Sequence, residues 1–206
     1  MARSLYYDLL LGPRGYGRPI PAADWERQYE RGAWDLLDSV DQIAHYMVIV
    51  GYLQGMRQAA APLPSLLDVG CGAGRLLQLL APFGLSSYLG IDLSAQAIGR
   101  AESLGIANAR FEVADFEAWE IPRRFGAIVF NESLYYAKRP VDVLSRYSGA
   151  LEDGGVFVVS LWRHGNHGII WNRVGERFDV VHSCTVVNDK RQTWDIRVLR
   201  PQVQTA

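Results

Sequence analysis

The stretch Ser65-Leu66-Leu67-Asp68-Val69-Gly70-Cys71-Gly72-Ala73-Gly74, followed by Arg75-Leu76-Leu77-Gln78-Leu79-Leu80, decides the fold. Its apolar first half, set off by Pro62 and Pro64, reads as a short buried strand. The three glycines mark a tight turn, and the leucine-rich run beyond them reads as a helix. The alternation then repeats. Ser87 to Ile91 is a second strand, a helix opens near Ser94, and Ala109 to Val113 and Phe125 to Phe130 are strands three and four. A helix over about Val141 to Leu151 precedes the turn Glu152-Asp153-Gly154-Gly155 and strand five, Val156 to Leu161. Strands and helices alternating at this spacing form βαβ units, hence an α/β fold with a doubly wound, mostly parallel sheet of Rossmann-like kind.

Two more β-rich runs, Val180 to Val187 and Thr193 to Leu199, flank Asn188-Asp189-Lys190-Arg191-Gln192. That pattern predicts a C-terminal antiparallel hairpin and brings the sheet to seven strands. Upstream, Trp25, Tyr29, Trp34, Leu37, Ile43, Met47, Val50 and Leu53 recur at mostly three- and four-residue steps, which predicts lid helices over residues 25–60. Residues 1–24, rich in glycine and proline from Gly12 onward, read as an N-terminal arm on a domain spanning 25–206.

At 206 residues, 49% hydrophobic and 21% charged, the chain is expected to be one globular domain. A formal net charge of −1 from 21 basic and 22 acidic residues argues against nucleic acid and favours a small partner. The apolar run Tyr46 to Leu53 is far short of a membrane span. Near the N-terminus Tyr6, Tyr7 and Asp8 interrupt the apolar residues, so no signal peptide is expected and the location is read as cytoplasmic. Cys71 and Cys184 lie far apart outside any metal-ligand spacing, which speaks against a disulfide scaffold or a metal site. A monomer or a homodimer is expected.

A glycine turn after the first strand lets a ligand approach the backbone closely. Asp92 ends the second strand, twenty residues beyond Gly72, where a carboxylate can accept both hydroxyls of a ribose; it also suits a cap for the helix opening at Ser94. Asp115 and Phe116 follow the third strand and suit the amine and ring of an adenine, or else are a loop aspartate and a core phenylalanine. Three adjacent strand ends thus converge on an adenosine-bearing ligand. A nicotinamide oxidoreductase is disfavoured, because the third position after Gly72 is Arg75 and not the glycine of its fingerprint.

Taken in order, LLDVGCGAGRLLQLL, YLGIDLS, VADFE, FGAIVFNESLYY and LEDGGVFVVSLW resemble the successive motifs of class I S-adenosylmethionine (SAM)-dependent methyltransferases, over residues 65–162. Within that class the chain is similar to small N-methyltransferases of nodulation-factor biosynthesis, which modify sugars and related metabolites. The resemblance implies SAM as methyl donor and S-adenosylhomocysteine as product. It implies that Asp68, Gly70 and Gly72 shape the methionine end and that Asp92 binds ribose. By the same resemblance Asp115 and Phe116 bind adenine, and Asn131 lies beside the sulfonium. Cys71, Gly74 and Leu93 belong to the same donor site. Where such relatives often carry an arginine on the N-terminal helix, this chain has Asp41, His45 and Tyr46.

Methyl transfer is an in-line displacement, so alignment and exclusion of water matter most. An oxygen nucleophile must also lose a proton, and the candidate bases are Glu132, His164 and His167, all expected in loops at the ligand edge. Glu132 could instead cap a helix or pair with a lysine, and the histidines could be ordinary polar loop residues. Tyr135, Tyr136 and His45 are the candidates for contact with the acceptor. Adjacent tyrosines on a helix face different ways, so one of the pair is expected to be packing, and His45 also suits a core position. No Asn/Asp-Pro-Pro-Tyr follows strand four, which argues against DNA adenine methylation. The acceptor is expected to be a small metabolite or the end of a glycan. The runner-up is a non-catalytic SAM-binding partner subunit.

Overall fold

Strand β1, Leu66–Val69, is buried at every position, as an unalternating Leu-Leu-Asp-Val run requires of a strand covered on both faces. It stands at the middle of a seven-stranded sheet ordered β3-β2-β1-β4-β5-β7-β6, in a computed structural model that describes residues 7–56 and 63–202. The other strands are β2 (Tyr88–Asp92), β3 (Ala109–Val113), β4 (Phe125–Asn131), β5 (Leu151–Trp162), β6 (Phe178–Val187) and β7 (Thr193–Pro201). β1 to β5 pair in parallel, while β7 pairs antiparallel with both β5 and β6. The chain runs outward from β1 through β2 to β3 and returns to β4 on the other side of β1. The crevice therefore lies above the ends of β1 and β4, the switch point at which such sheets bind ligands.

Six helices accompany the sheet among the described residues: α1 (Ala22–Glu30), α2 (Val40–Gly55), α3 (Arg75–Leu80), α4 (Ala95–Glu102), α5 (Pro140–Ser148) and α6 (His167–Gly175). Because strand side chains alternate, Leu67, Val69, Ile91, Ile128 and Phe130 pack with Leu144, Tyr147, Ile170 and Trp171 of α5 and α6. Leu66, Tyr88, Ala127 and Val129 pack on the other face with Ile49, Val50 and Leu53 of α2 and Leu76, Leu77 and Leu80 of α3. No helix among the described residues is long and apolar enough to cross a membrane.

The lid helices expected over residues 25–60 are α1 and α2, separated by a turn through Gly32 at φ +67° and a 3-10 stretch, Asp35–Asp38; residues 57–60 lie outside the described residues. Two other local expectations change. The expected turn Glu152–Gly155 is an irregular beginning of β5, whose register with β4 shifts between Phe125 and Ala127. Finally, His167 is no loop residue. It opens α6, a helix whose buried Ile170, Trp171 and Val174 follow helical spacing that Gly168 and Gly175 obscure in the sequence.

The described part of the arm is fastened to the domain. Gly17 N–H donates to Lys138 O (3.2 Å) and Arg18 N–H to Tyr135 O (2.8 Å). A Cβ at Gly17 would overlap the carbonyl oxygens of Tyr135 and Ala137, so only glycine permits this approach. Asn166 Nδ2 donates to Gly12 O (3.0 Å) and Tyr16 O (2.8 Å).

Candidate active site

A cavity of about 990 Å³ opens over the carboxyl ends of β1, β2 and β4, at the upper end of the roughly 300–1,000 Å³ usual for small-molecule sites. Its floor is the glycine loop. Gly70, Gly72 and Gly74 all have positive φ (+77°, +55°, +82°), which non-glycine residues adopt at a cost. Ile91 O accepts from Gly70 N–H (2.8 Å) and Cys71 N–H (3.0 Å), tying the loop to the end of β2.

Asp92 takes Gly72 N–H on Oδ2 (3.0 Å) and Ser94 N–H on Oδ1 (2.9 Å). Capping of α4 falls to other groups: Ser94 Oγ accepts from Ala97 N–H (3.1 Å), and Glu26 accepts from Ala95 N–H (2.6 Å) and Gln96 N–H (3.2 Å). An ionised carboxylate has about four lone-pair sites, so Asp92, which lines the cavity, keeps acceptor capacity beyond these bonds. Asp68 is buried; its Oδ2 accepts from Tyr88 Oη (2.6 Å), while Oδ1 has no hydrogen-bond partner among the described residues. Burial pushes its carboxyl up to about 7. Asp115, Phe116 and Leu93 join the same wall, with Asp115 Oδ1 accepting from Glu117 N–H (2.9 Å) and Phe116 edge-on to Phe130 at 6.2 Å.

Beyond Asn131 the chain turns through Glu132 in the left-handed region, at φ +56°. That conformation turns its carboxylate into a tight set of donors. Trp162 N–H (3.0 Å) and Tyr135 Oη (3.1 Å) donate to Oε2, and Ser160 Oγ lies 2.7 Å from Oε1. The same Ser160 Oγ lies 2.7 Å from Asn131 Oδ1. One hydroxyl carries one proton, so both contacts are satisfied together only if Glu132 is protonated or the Asn131 amide presents its nitrogen. Burial, opposed by these hydrogen bonds, lifts the Glu132 carboxyl to about 7.

Above the floor, Tyr29, Trp25 and Trp34 of the lid meet Tyr135 and Tyr136. Trp25 lies 5.3 Å from Trp34 and edge-on to Tyr136 at 4.8 Å, and all five rings line the cavity. A Cβ at Gly72 would come within 2.9 Å of Tyr29 Oη, so the lid presses directly on the glycine loop. Arg100 holds it there by donating to Tyr29 O and Asp35 Oδ1, both at 2.8 Å.

The three histidines singled out from sequence do not line this cavity. His45 is fully buried between Tyr46 (4.4 Å) and Trp194 (4.8 Å), and burial lowers its pKa to about 4. His164 stacks on Trp162 at 4.8 Å. His167 has a buried Nδ1 without a partner among the described residues, and burial leads the lowering of its pKa. Gly74 also stands back from the cavity, packed against Leu104 and Ala101. Sequence reasoning missed Glu26, Arg75 and Ser160 as parts of the site. Only Arg75 carried a signal, its place directly after the glycine loop.

A methyltransferase domain family model matches residues 34–206. The chain belongs to the methyltransferase domain family. This methyltransferase domain is 28% identical over 149 residues to malonyl-acyl-carrier-protein O-methyltransferase of Paenibacillus sp., covering 67% of the chain and 54% of that protein. It is 30% identical over 107 residues to trans-aconitate 2-methyltransferase of Deinococcus radiodurans, covering 52% and 41%. The chain thus spans about half the length of these curated relatives. In structure it resembles the N-methyltransferase NodS of Bradyrhizobium japonicum WM9, crystallised with S-adenosylhomocysteine, at a TM-score of 0.71 and 18% identity over 86% of this chain and 98% of that one. At that identity the likeness is one of fold.

Proposed function

We propose that this methyltransferase domain binds SAM along the ends of β3, β2 and β1 and transfers its methyl group to an oxygen or nitrogen of a small metabolite, a sugar unit included. When bound, the donor supplies a methyl carbon activated by its sulfonium. Asp115 and Phe116 hold the adenine and the remaining lone pairs of Asp92 take the ribose hydroxyls. The unpartnered Oδ1 of Asp68 suits an ammonium group. The acceptor lies between the arm and the Tyr135–Tyr136 turn, where ring faces bind its apolar surface and keep water out.

One observation carries the acceptor side: Glu132, lifted to about 7, opens onto the same cavity as Asp68, Asp92 and Asn131. A carboxylate near neutral pKa takes a proton from a hydroxyl as its oxygen attacks the methyl carbon, or from an ammonium beforehand so that the amine lone pair can attack. Methyl-labelled SAM offered to a panel of hydroxyl, amino and carboxyl acceptors tests this. Glu132→Gln should lower transfer to a hydroxyl acceptor by roughly 100-fold, the usual worth of a positioned base, and leave S-adenosylhomocysteine affinity within about twofold. A variant that keeps its full rate removes Glu132 as the base. Tight S-adenosylhomocysteine binding without transfer to any acceptor would favour a non-catalytic partner subunit.

A further inference from the structure

We propose that Arg75 takes the α-carboxylate of the donor, and that Asp38 competes with that carboxylate for the same guanidinium. This rests on the donor reading above. With adenine at β3 and ribose at β2, the sheet order β3-β2-β1-β4 directs the amino-acid end over β1 towards β4. The cavity lining at the end of β1 offers the carboxyl group of Asp68 beside the neutral Tyr46 and Ser133. Asp68 suits an ammonium and repels a carboxylate, so a cation nearby is the fitting partner for the anionic end.

Four cations line the cavity among the described residues: Arg18, Arg75, Arg100 and Lys138. Arg100 is engaged by Tyr29 O and Asp35. Lys138 pairs with Glu117 at 3.8 Å, beside the adenine loop. Arg18 belongs to the arm, where its backbone is bound to Tyr135 O and its guanidinium lies over the Tyr7 ring. Arg75 directly follows the glycine loop. It is close enough to Tyr46 for its charge to act on that hydroxyl, which also feels Asp68, Glu132 and Asp38.

The contacts of Arg75 leave donors to spare. One terminal nitrogen donates to Gln78 Oε1 (3.0 Å). Its Nε faces Asp38 Oδ1 at 3.4 Å without a hydrogen bond to any described residue. A guanidinium has five N–H donors in a fork that matches a carboxylate. The Arg75 side chain is only 25% exposed, whereas that of Asp38 is 69% exposed, so the existing pair is of the weak, solvated kind. A carboxylate held inside the cavity displaces it. Asp38 also ends the 3-10 stretch Asp35–Asp38 between lid helix α1 and α2, so the exchange of partners on Arg75 frees the lid's linker as the donor binds.

Isothermal titration of the full chain with S-adenosylhomocysteine and with 5′-methylthioadenosine, which lacks the charged amino-acid end, tests this. Arg75→Gln should weaken S-adenosylhomocysteine roughly 10- to 100-fold, the worth of a charge-assisted hydrogen bond, and leave methylthioadenosine within about twofold. Arg75→Lys should recover part of the loss. Asp38→Asn should tighten S-adenosylhomocysteine by roughly two- to fivefold, the scale of an exposed ion pair, and leave methylthioadenosine unchanged. Unchanged S-adenosylhomocysteine affinity in Arg75→Gln, or equal weakening of both ligands as a damaged loop would give, overturns the assignment. Unchanged or weaker binding in Asp38→Asn overturns the competition. Wild-type chain that binds neither ligand overturns the donor reading itself, together with this one.

Discussion

Asp68 and Glu132 are two carboxyl groups that burial has pushed to about 7, and the fold tolerates the cost because each faces a ligand cavity. Both sit above the ordinary carboxylate range, so the folded chain binds more protons than the unfolded one between about pH 4 and 7. Their contribution to stability is therefore fully present at low pH and is lost as pH rises through 7. Asp68→Asn keeps the acceptor for Tyr88 and should remove part of that loss, raising stability at pH 8 relative to pH 5 by at most on the order of 3 kcal/mol. Denaturant unfolding at the two pH values checks it, and an unchanged difference would refute it. Asp92→Ala should weaken S-adenosylhomocysteine by about 1–3 kcal/mol, read by titration. At this scale strand polarity made Asp92, Asp115 and Glu132 legible by aiming them at one edge, but it misled at His164, which follows β5 and stacks on Trp162 outside the cavity. For His45 the sequence offered both an acceptor contact and a core position, and what decides between them, stacking on Trp194, lies some 150 residues away.

Among the elements, lid helix α1 is tied to α4 by one carboxylate as well as by Arg100. Glu26 accepts from Ala95 N–H, Gln96 N–H and Ser94 Oγ (3.0 Å), which joins the lid to the positive end of α4. Glu26→Ala should cost about 1–2 kcal/mol, as loss of a helix cap does. It should also raise amide exchange over residues 22–30 ahead of the rest of the chain; unaltered protection there would show that the rings alone hold the lid. Such a link spans 68 to 70 residues, beyond the reach of helical periodicity, so the pattern showed helices without showing what they touch. For the same reason α6 escaped notice: two glycines weaken its local propensity, and burial of Ile170, Trp171 and Val174 supplies the difference.

For the molecule as a whole, βα alternation carried the sheet. Apolar runs of four to seven residues and the glycine turn fix parallel strands, and the handedness of crossovers leaves few orders for them. The hairpin at the far edge and the seven-stranded count came from the turn between two β-rich runs, and the methyltransferase family from the resemblance of the ordered motifs. The docking of the arm did not, since it rests on backbone contacts at Gly17 that no side-chain pattern encodes. Donor binding should slow amide exchange at residues 68–74, 92–95, 115–117 and 22–30, and leave the edge strand β6 unaltered; uniform slowing across the sheet would contradict a site confined to one edge. The arm has a further consequence. The outer wall of the cavity, including Ile20, Trp25 and Tyr29, is built from residues that precede the 34–206 segment shared with the family. With the acceptor against the arm, as proposed, exchanging this leading segment for that of another family member should change which compounds are methylated without rebuilding the sheet.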